Sequence, residues 1–148
     1  MMRLLTIVTA TAALANCGSA SAQCATRDAQ GLVASMKPAE QFRSMLTMAV
    51  GRTETAAMVK ARDGASGDRK LAQAIDATVA RHGAEWEKNL VSSWQSLSAA
   101  EIGQACAAMQ ENDQRSFMPF AQRVGPQVQS RNELLLRNAA VEVLKAVW

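Results

Sequence analysis

The strongest periodic pattern in the sequence lies in the middle of the chain. Large side chains recur there at every third or fourth position, and this spacing places them on one face of an α-helix. They are Leu71, Ile75, Val79, His82, Trp86, Leu90 and Trp94. The pattern predicts a long amphipathic helix that begins after Asp68, a good N-cap residue.

The ridge formed by Trp86, Leu90 and Trp94 on this helix has two interpretations. Its side chains belong to the core, or they line an apolar groove that holds a lipid tail or a partner helix. The second interpretation follows from the enrichment of tryptophan at interfaces and in apolar pockets. The sequence alone leaves both open.

Two further helices are predicted before the central one. Thr26 is a suitable N-cap for a helix that ends at about Met36, because the residue before Pro38 disfavours helical backbone angles. Pro38 suits the first turn of the next helix, which is predicted to run to about Ala61. The segment 63–67 contains two glycines and is predicted to be a loop.

Two more helices are predicted in the C-terminal part of the chain. Ser98 and Glu101 have the spacing of a capping box, in which the serine side chain and the glutamate side chain each accept from a free backbone N–H. They open the fourth helix. The last helix begins near Asp113 or Ser116 and runs to about Val147.

Gly125-Pro126 lies inside this last segment and predicts a kink or a break there, because proline removes a backbone hydrogen bond. One bent helix and two shorter ones both fit the sequence. The chain contains no tyrosine, eight glycines and three prolines, a composition that favours helix over sheet. We therefore predict an all-α fold, an antiparallel bundle of about five helices whose last helix is long and kinked.

The first 22 residues have the features of a cleaved secretion signal. Arg3 precedes an uncharged run over residues 4–15, and residues 20–22 form an A-x-A cleavage pattern. The run is too short to span a bilayer, which needs about 20 apolar residues. We expect a single helical domain over residues 23–148, located in the periplasm or secreted, with no transmembrane segment after cleavage.

The three cysteines give two further expectations. Cys17 follows a sequence that resembles a lipoprotein box, although Asn16 is larger than the residue normally found there, so a lipid anchor is the alternative to cleavage. Cys24 and Cys106 would remain in the mature chain, and export would place them where thiols persist as disulfides. We predict a bridge between them.

The charges and reactive side chains exclude several functions. The chain has 16 basic and 13 acidic residues that are interspersed, so no nucleic-acid partner is expected. The single histidine, His82, lies three residues before Glu85. A metal site in a helical bundle normally needs a second histidine–glutamate pair on another helix, and the chain has no second histidine. Met45 and Met48 are better explained as ordinary apolar positions than as copper ligands. We expect no catalytic residues, no metal site, no cofactor and no enzyme activity.

The segment 94–102 is the first part of a pattern that resembles a known family. It is followed by a methionine, a polar turn, two phenylalanines and a proline, which are Met109, Phe117, Phe120 and Pro126. Over residues 38–145 the chain resembles the exported bacterial domain-of-unknown-function family 2059. The resemblance implies a helical fold and export. It implies no activity and no functional residue.

These observations favour a non-enzymatic, exported protein with a binding or structural role. The alternative function is that of a carrier for an apolar ligand such as a lipid, held in a groove near Trp86 and Trp94. The partner is therefore either a protein or an apolar ligand, and its identity stays open. The C-terminal end is also apolar, and we expect it to dock on the bundle or to form a homodimer contact. It consists of Val143, Leu144, Val147 and Trp148.

Overall fold

The computed structural model describes residues 24–148 and contains six α-helices, with no strand in that range. The predicted signal at residues 1–22, including the alternative lipidation site Cys17, lies outside the described residues. The all-α bundle is confirmed. Its helices are α1 (Ala29–Ser35), α2 (Pro38–Gly51), α3 (Glu54–Asp63), α4 (Ala65–Trp94), α5 (Ala99–Gln110) and α6 (Gln114–Val147).

Helix α4 is the centre of the bundle, as its long apolar face suggests. It packs against α1, α2, α3 and α6, and α5 packs on α6 and α1. Contacts between α4 and α6 pair His82 with Glu142 and Asn89 with Asn132, so the two long helices run antiparallel. One core cluster includes buried side chains from all six helices.

The first helix begins later than the sequence predicted. Asp28, and not Thr26, is the N-cap of α1, and its carboxylate accepts a hydrogen bond from the Gly31 backbone N–H at 2.7 Å. The Thr26 hydroxyl donates to the same carboxylate at 2.7 Å. Thr26 therefore orients the cap instead of forming it.

The predicted second helix is two helices, which accounts for six elements instead of about five. Helix α2 ends at Gly51, and Thr53 adopts an extended conformation from which its hydroxyl caps the Ala56 N–H at 3.2 Å. A threonine that accepts in this way offers the backbone an alternative to continued helix. The expected continuous helix to Ala61 is therefore wrong.

The predicted loop over residues 63–67 is also wrong, because a single residue connects α3 to α4. Gly64 has φ = 55° and ψ = −134°, a positive-φ conformation that glycine adopts without steric cost. Helix α4 begins at Ala65, so Asp68 lies in its first turn and is not its N-cap. Gly67 allows a close approach to α3, since a Cβ atom there would lie 2.6 Å from the Val59 carbonyl oxygen.

The C-terminal helices follow the prediction more closely. Ser98 Oγ accepts from the Glu101 N–H at 3.2 Å, and a Glu101 carboxylate oxygen accepts from the Ser98 N–H at 2.8 Å, which confirms the capping box. Asp113 caps α6, which continues through Pro119 and Pro126 as one helix of 34 residues. The break considered at Gly125-Pro126 is therefore absent, and the kink there stays a prediction.

The predicted disulfide between Cys24 and Cys106 is confirmed. The two Cα atoms are 5.6 Å apart, and both residues are buried. The bridge attaches the chain ahead of α1 to α5. Within residues 24–148, no helix combines the length and the apolar character needed to cross a membrane.

Candidate functional site: an apolar groove between α2 and α6

An open groove of about 870 Å³ runs between α2 and α6, with α4 at its base. Trp86, Leu90 and Trp94 form this base, which we call the floor. All three lie on one face of α4 because they are spaced by four residues. The structure thus places the three residues of the predicted ridge in one groove, where they are also part of the core.

Aromatic contacts hold both ends of the floor. The ring of Phe42 stacks on the indole of Trp86, with 4.8 Å between the ring centroids. The Trp94 indole packs against Phe117 at 5.6 Å and an interplanar angle of 30°. Since Trp86 is only 1% exposed, its indole has little freedom to reorient. The floor is therefore a fixed apolar surface.

The walls of the groove are predominantly apolar. Helix α2 contributes Met45 and Ala49, and α6 contributes the longer wall. The apolar members of that wall are Phe117, Ala121, Val124, Gly125, Val128, Leu136, Ala140, Val141 and Leu144. Several of these residues are small, which keeps the space above the tryptophans open.

The charged side chains of the groove lie at its rim and form a pair. Arg137 donates to a carboxylate oxygen of Glu133 at 2.9 Å, one turn earlier on α6. Both side chains are largely exposed, so the pair has little energetic effect. The other polar lining residues are Gln41, Thr53, Gln129 and Asn132.

Asn132 is the one buried polar residue of the lining, at 2% exposure. Its side-chain oxygen accepts from the Asn89 amide at 3.0 Å. Its own Nδ2 donor has no acceptor within residues 24–148, and the same holds for the indole nitrogen of Trp86. Two buried hydrogen-bond donors thus belong to residues that line the groove.

The histidine makes a different contact from the one suggested by its neighbour Glu85. His82 Nε2 lies 2.7 Å from a carboxylate oxygen of Glu142 on α6, and Arg81 pairs with the same carboxylate. The hydrogen bond from His82, followed by that from Arg81, lowers the pKa of Glu142. No group of three or more potential metal ligands occurs within residues 24–148.

The methionine pair of α2 is divided between two environments. Met45 lines the groove, whereas Met48 is 53% exposed and is not part of the lining. Their interpretation as ordinary apolar positions stays a prediction.

The walls of the groove and Asn132 were not among the residues that the sequence predicted for the site. The walls depend on how far α2 and α6 separate above α4, which no local pattern encodes. Asn132 had a detectable signal, because it occupies an apolar-face position between Val128 and Leu135 on α6. A polar residue at such a position usually has a specific role, since its burial is otherwise unfavourable.

Comparisons with protein-family models, with curated proteins and with solved structures give no match for this chain. The resemblance to family 2059 therefore stays a prediction.

Proposed function

We propose that this protein is exported and binds an apolar, chain-shaped small molecule in the groove between α2 and α6. The observation that carries the proposal is the groove itself, with its tryptophan floor, its apolar walls and its volume of about 870 Å³. Pockets for small ligands typically measure about 300–1,000 Å³ and have predominantly apolar walls. The groove agrees with this description in both respects.

The free energy of apolar burial favours an aliphatic ligand. Each methylene group transferred from water into such a groove contributes about 0.8 kcal/mol, so a chain of medium length gains enough to offset the loss of its own freedom. The fixed rings of Trp86 and Trp94 help, because a preformed surface needs little reorganisation on binding.

We propose binding and not catalysis because of the charged groups in the lining. The groove contains one acidic and one basic side chain, Glu133 and Arg137, and each is the partner of the other. Neither lies beside a nucleophile in a buried pocket, where a catalytic acid or base would be expected.

Export is supported by the pattern of residues 1–22 and by the resemblance to an exported family. A disulfide between Cys24 and Cys106 suits an oxidising compartment, where such bonds persist. Periplasmic or secreted location, release by cleavage after Ala22 and the alternative anchor at Cys17 remain parts of this proposal.

Displacement of a neutral fluorophore tests the binding function. N-phenylnaphthylamine, which becomes brighter in apolar surroundings, is titrated into the purified protein and then displaced with long-chain lipids. The variant Ala140→Trp places an indole in the groove and should weaken binding at least about tenfold, because the indole occupies space that the ligand needs. Ala146→Trp is the matched control on the same helix, at an exposed position outside the lining.

We expect wild type and the Ala146→Trp variant to bind alike, and Ala140→Trp to bind weakly. Circular dichroism of all three proteins checks that the helices are retained. A wild-type protein that leaves the fluorophore dim would contradict the proposal. Equal binding by both tryptophan variants would place the site elsewhere on the molecule.

We propose in addition that α6 mediates a homodimer. Val143 and Val147 of the predicted C-terminal contact are buried in the core, so of that end mainly Trp148 is available. Leu134, Val141 and Trp148 are exposed and spaced by seven residues, so they form a stripe on one side of the helix. Seven-residue spacing is typical of helices that pack along each other. Sedimentation equilibrium should show a dimer that Leu134→Glu disrupts and Gln122→Glu, at another exposed position of α6, leaves intact. A wild-type monomer at every concentration would contradict this.

A further inference from the structure

The floor and one wall of the groove carry two buried hydrogen-bond donors that no group within residues 24–148 satisfies. These are the indole Nε1–H of Trp86 on α4 and the side-chain amide of Asn132 on α6, neither of which has an acceptor within residues 24–148. Buried donors in folded proteins nearly always have an acceptor. Two exceptions in residues that line the same groove point to a ligand that supplies an acceptor.

The two donors belong to the same level of the bundle. Asn89 donates to the side-chain oxygen of Asn132 at 3.0 Å, and Asn89 lies one turn after Trp86 on α4. Asn132 is therefore opposite the part of α4 that carries Trp86. The contact with Asn89 also fixes the orientation of the Asn132 amide, because its oxygen is already used as the acceptor.

The charges of the lining exclude a buried ionic group on the ligand. The guanidinium of Arg137 is paired with Glu133, and both are exposed at the rim. No other lining residue carries a charge. A carboxylate or phosphate placed between Trp86 and Asn132 would be buried without a counter-charge, which is strongly unfavourable.

We infer that the ligand is a neutral apolar molecule with a carbonyl oxygen inside its apolar body, such as a ketone, an ester or a quinone. Its oxygen has two lone pairs and accepts from both Trp86 Nε1–H and Asn132 Nδ2–H. Both nitrogens lie beneath the groove surface. The wall side chains therefore have to separate to admit the carbonyl, while the packed tryptophan rings of the floor stay in place. This inference rests on the proposed binding function and specifies the chemical class of its ligand.

Three probes of equal chain length test the ligand class. A medium-chain methyl ketone, the corresponding alkane and the corresponding fatty acid carboxylate are titrated into the full chain labelled with ¹⁵N at its indole nitrogens. The Trp86 resonance is assigned as the one missing from Trp86→Phe. We expect the ketone to bind about tenfold more tightly than the alkane and to shift the Trp86 indole proton downfield. The carboxylate should bind no better than the alkane.

Variants at both donors separate the hydrogen bonds from the shape of the groove. Trp86→Phe and Asn132→Leu should each reduce the preference for ketone over alkane towards unity. Asn89 keeps the Arg131 carbonyl as an acceptor in Asn132→Leu, at 3.3 Å. Trp94→Phe is the matched control, because it makes the same change in the same floor. The Trp94 indole nitrogen is not one of the buried unsatisfied donors of residues 24–148. It should weaken both probes and preserve their ratio.

The outcomes distinguish this inference from the binding function. Equal affinity for ketone and alkane, with an unshifted Trp86 resonance, would overturn the ligand class and leave apolar binding intact. Tightest binding of the carboxylate would overturn the neutral character of the ligand. A protein that binds none of the three probes would refute the binding function, and the inference with it.

Discussion

The phenyl ring of Phe42 stacks on the indole of Trp86, with 4.8 Å between their centroids and 17° between their planes. Both residues are fully buried. Phe42 comes from α2 and Trp86 from α4, so the contact sets how closely α2 approaches the central helix. It therefore holds the α2 wall against the floor of the groove and contributes to the stability of the core.

Removal of this stack should destabilise the protein strongly. Phe42→Ala removes a buried ring and leaves a cavity, which typically costs about 3–5 kcal/mol of unfolding free energy. Urea denaturation followed by circular dichroism measures the change. Met48→Ala on the same helix is the control, because Met48 is 53% exposed and should change the stability by less than about 0.5 kcal/mol. Equal effects of the two substitutions would contradict the packing of α2.

Two glycines of α4 should respond in opposite directions to the same substitution. Gly83→Ala meets nothing within 4 Å and should stabilise the protein by about 0.5–1 kcal/mol through higher helix propensity. Gly67→Ala would place a Cβ atom 2.6 Å from the Val59 carbonyl oxygen and should destabilise it by about 1–3 kcal/mol. Thermal melts of both variants provide the comparison. A stabilised Gly67→Ala variant would contradict the close approach of Gly67 to the Val59 carbonyl oxygen.

Reduction of the disulfide should lower the stability of the folded chain. The bridge closes a loop with a sequence separation of 82 residues. In the chain-entropy model such a loop contributes about 4.5 kcal/mol by restricting the unfolded state. Denaturation with and without a reductant measures this effect, and the double variant Cys24→Ala/Cys106→Ala should be insensitive to the reductant. Identical curves for the reduced and the oxidised wild type would contradict the bridge.

Acid should weaken the contact between α5 and α6. The Arg123 guanidinium, followed by the Ser98 backbone N–H, lowers the pKa of Glu101 from 4.5 to about 2. The unfolded chain therefore binds more protons than the folded chain in this range, so stability is lost as the pH falls from about 4.5 towards 2. Unfolding free energies measured at several pH values should show a steeper loss for wild type than for Glu101→Gln.

Arg123→Gln provides the control for this effect. If the pair with Arg123 is the main cause, Arg123→Gln should flatten the acid dependence nearly as much as Glu101→Gln, and the double variant should add little. Glutamine at position 101 still offers an oxygen to the Ser98 N–H, so the helix cap is kept. An unchanged acid dependence in both single variants would contradict the proposed origin.

Local signals in the sequence predicted the elements that depend on a few neighbouring residues. The capping box of Ser98 and Glu101 was predicted and confirmed, because it is complete within four consecutive positions. The long apolar face of α4 was likewise predicted, from large side chains at every third or fourth position. The disulfide was predicted from the number of cysteines remaining after the proposed cleavage.

Features that depend on contacts between helices were not predictable in this way. The junction at Gly64 and the early start of α4 require the close packing of Gly67 against the Val59 carbonyl, which only the folded chain brings together. The partner of His82 is Glu142, 60 residues further along. The ridge of Trp86 and Trp94 suggested a groove, but its walls follow from the separation of α2 and α6.

Native mass spectrometry of the protein, purified from the cell envelope without reducing agent, tests the central claim most directly. We predict a chain that begins at Gln23, is two hydrogens lighter than its reduced form and retains an apolar small molecule as additional mass. The Ala140→Trp variant should lose that mass and Ala146→Trp should keep it. If wild type and Ala140→Trp both carry no additional mass under gentle conditions, that result would contradict a ligand-binding groove.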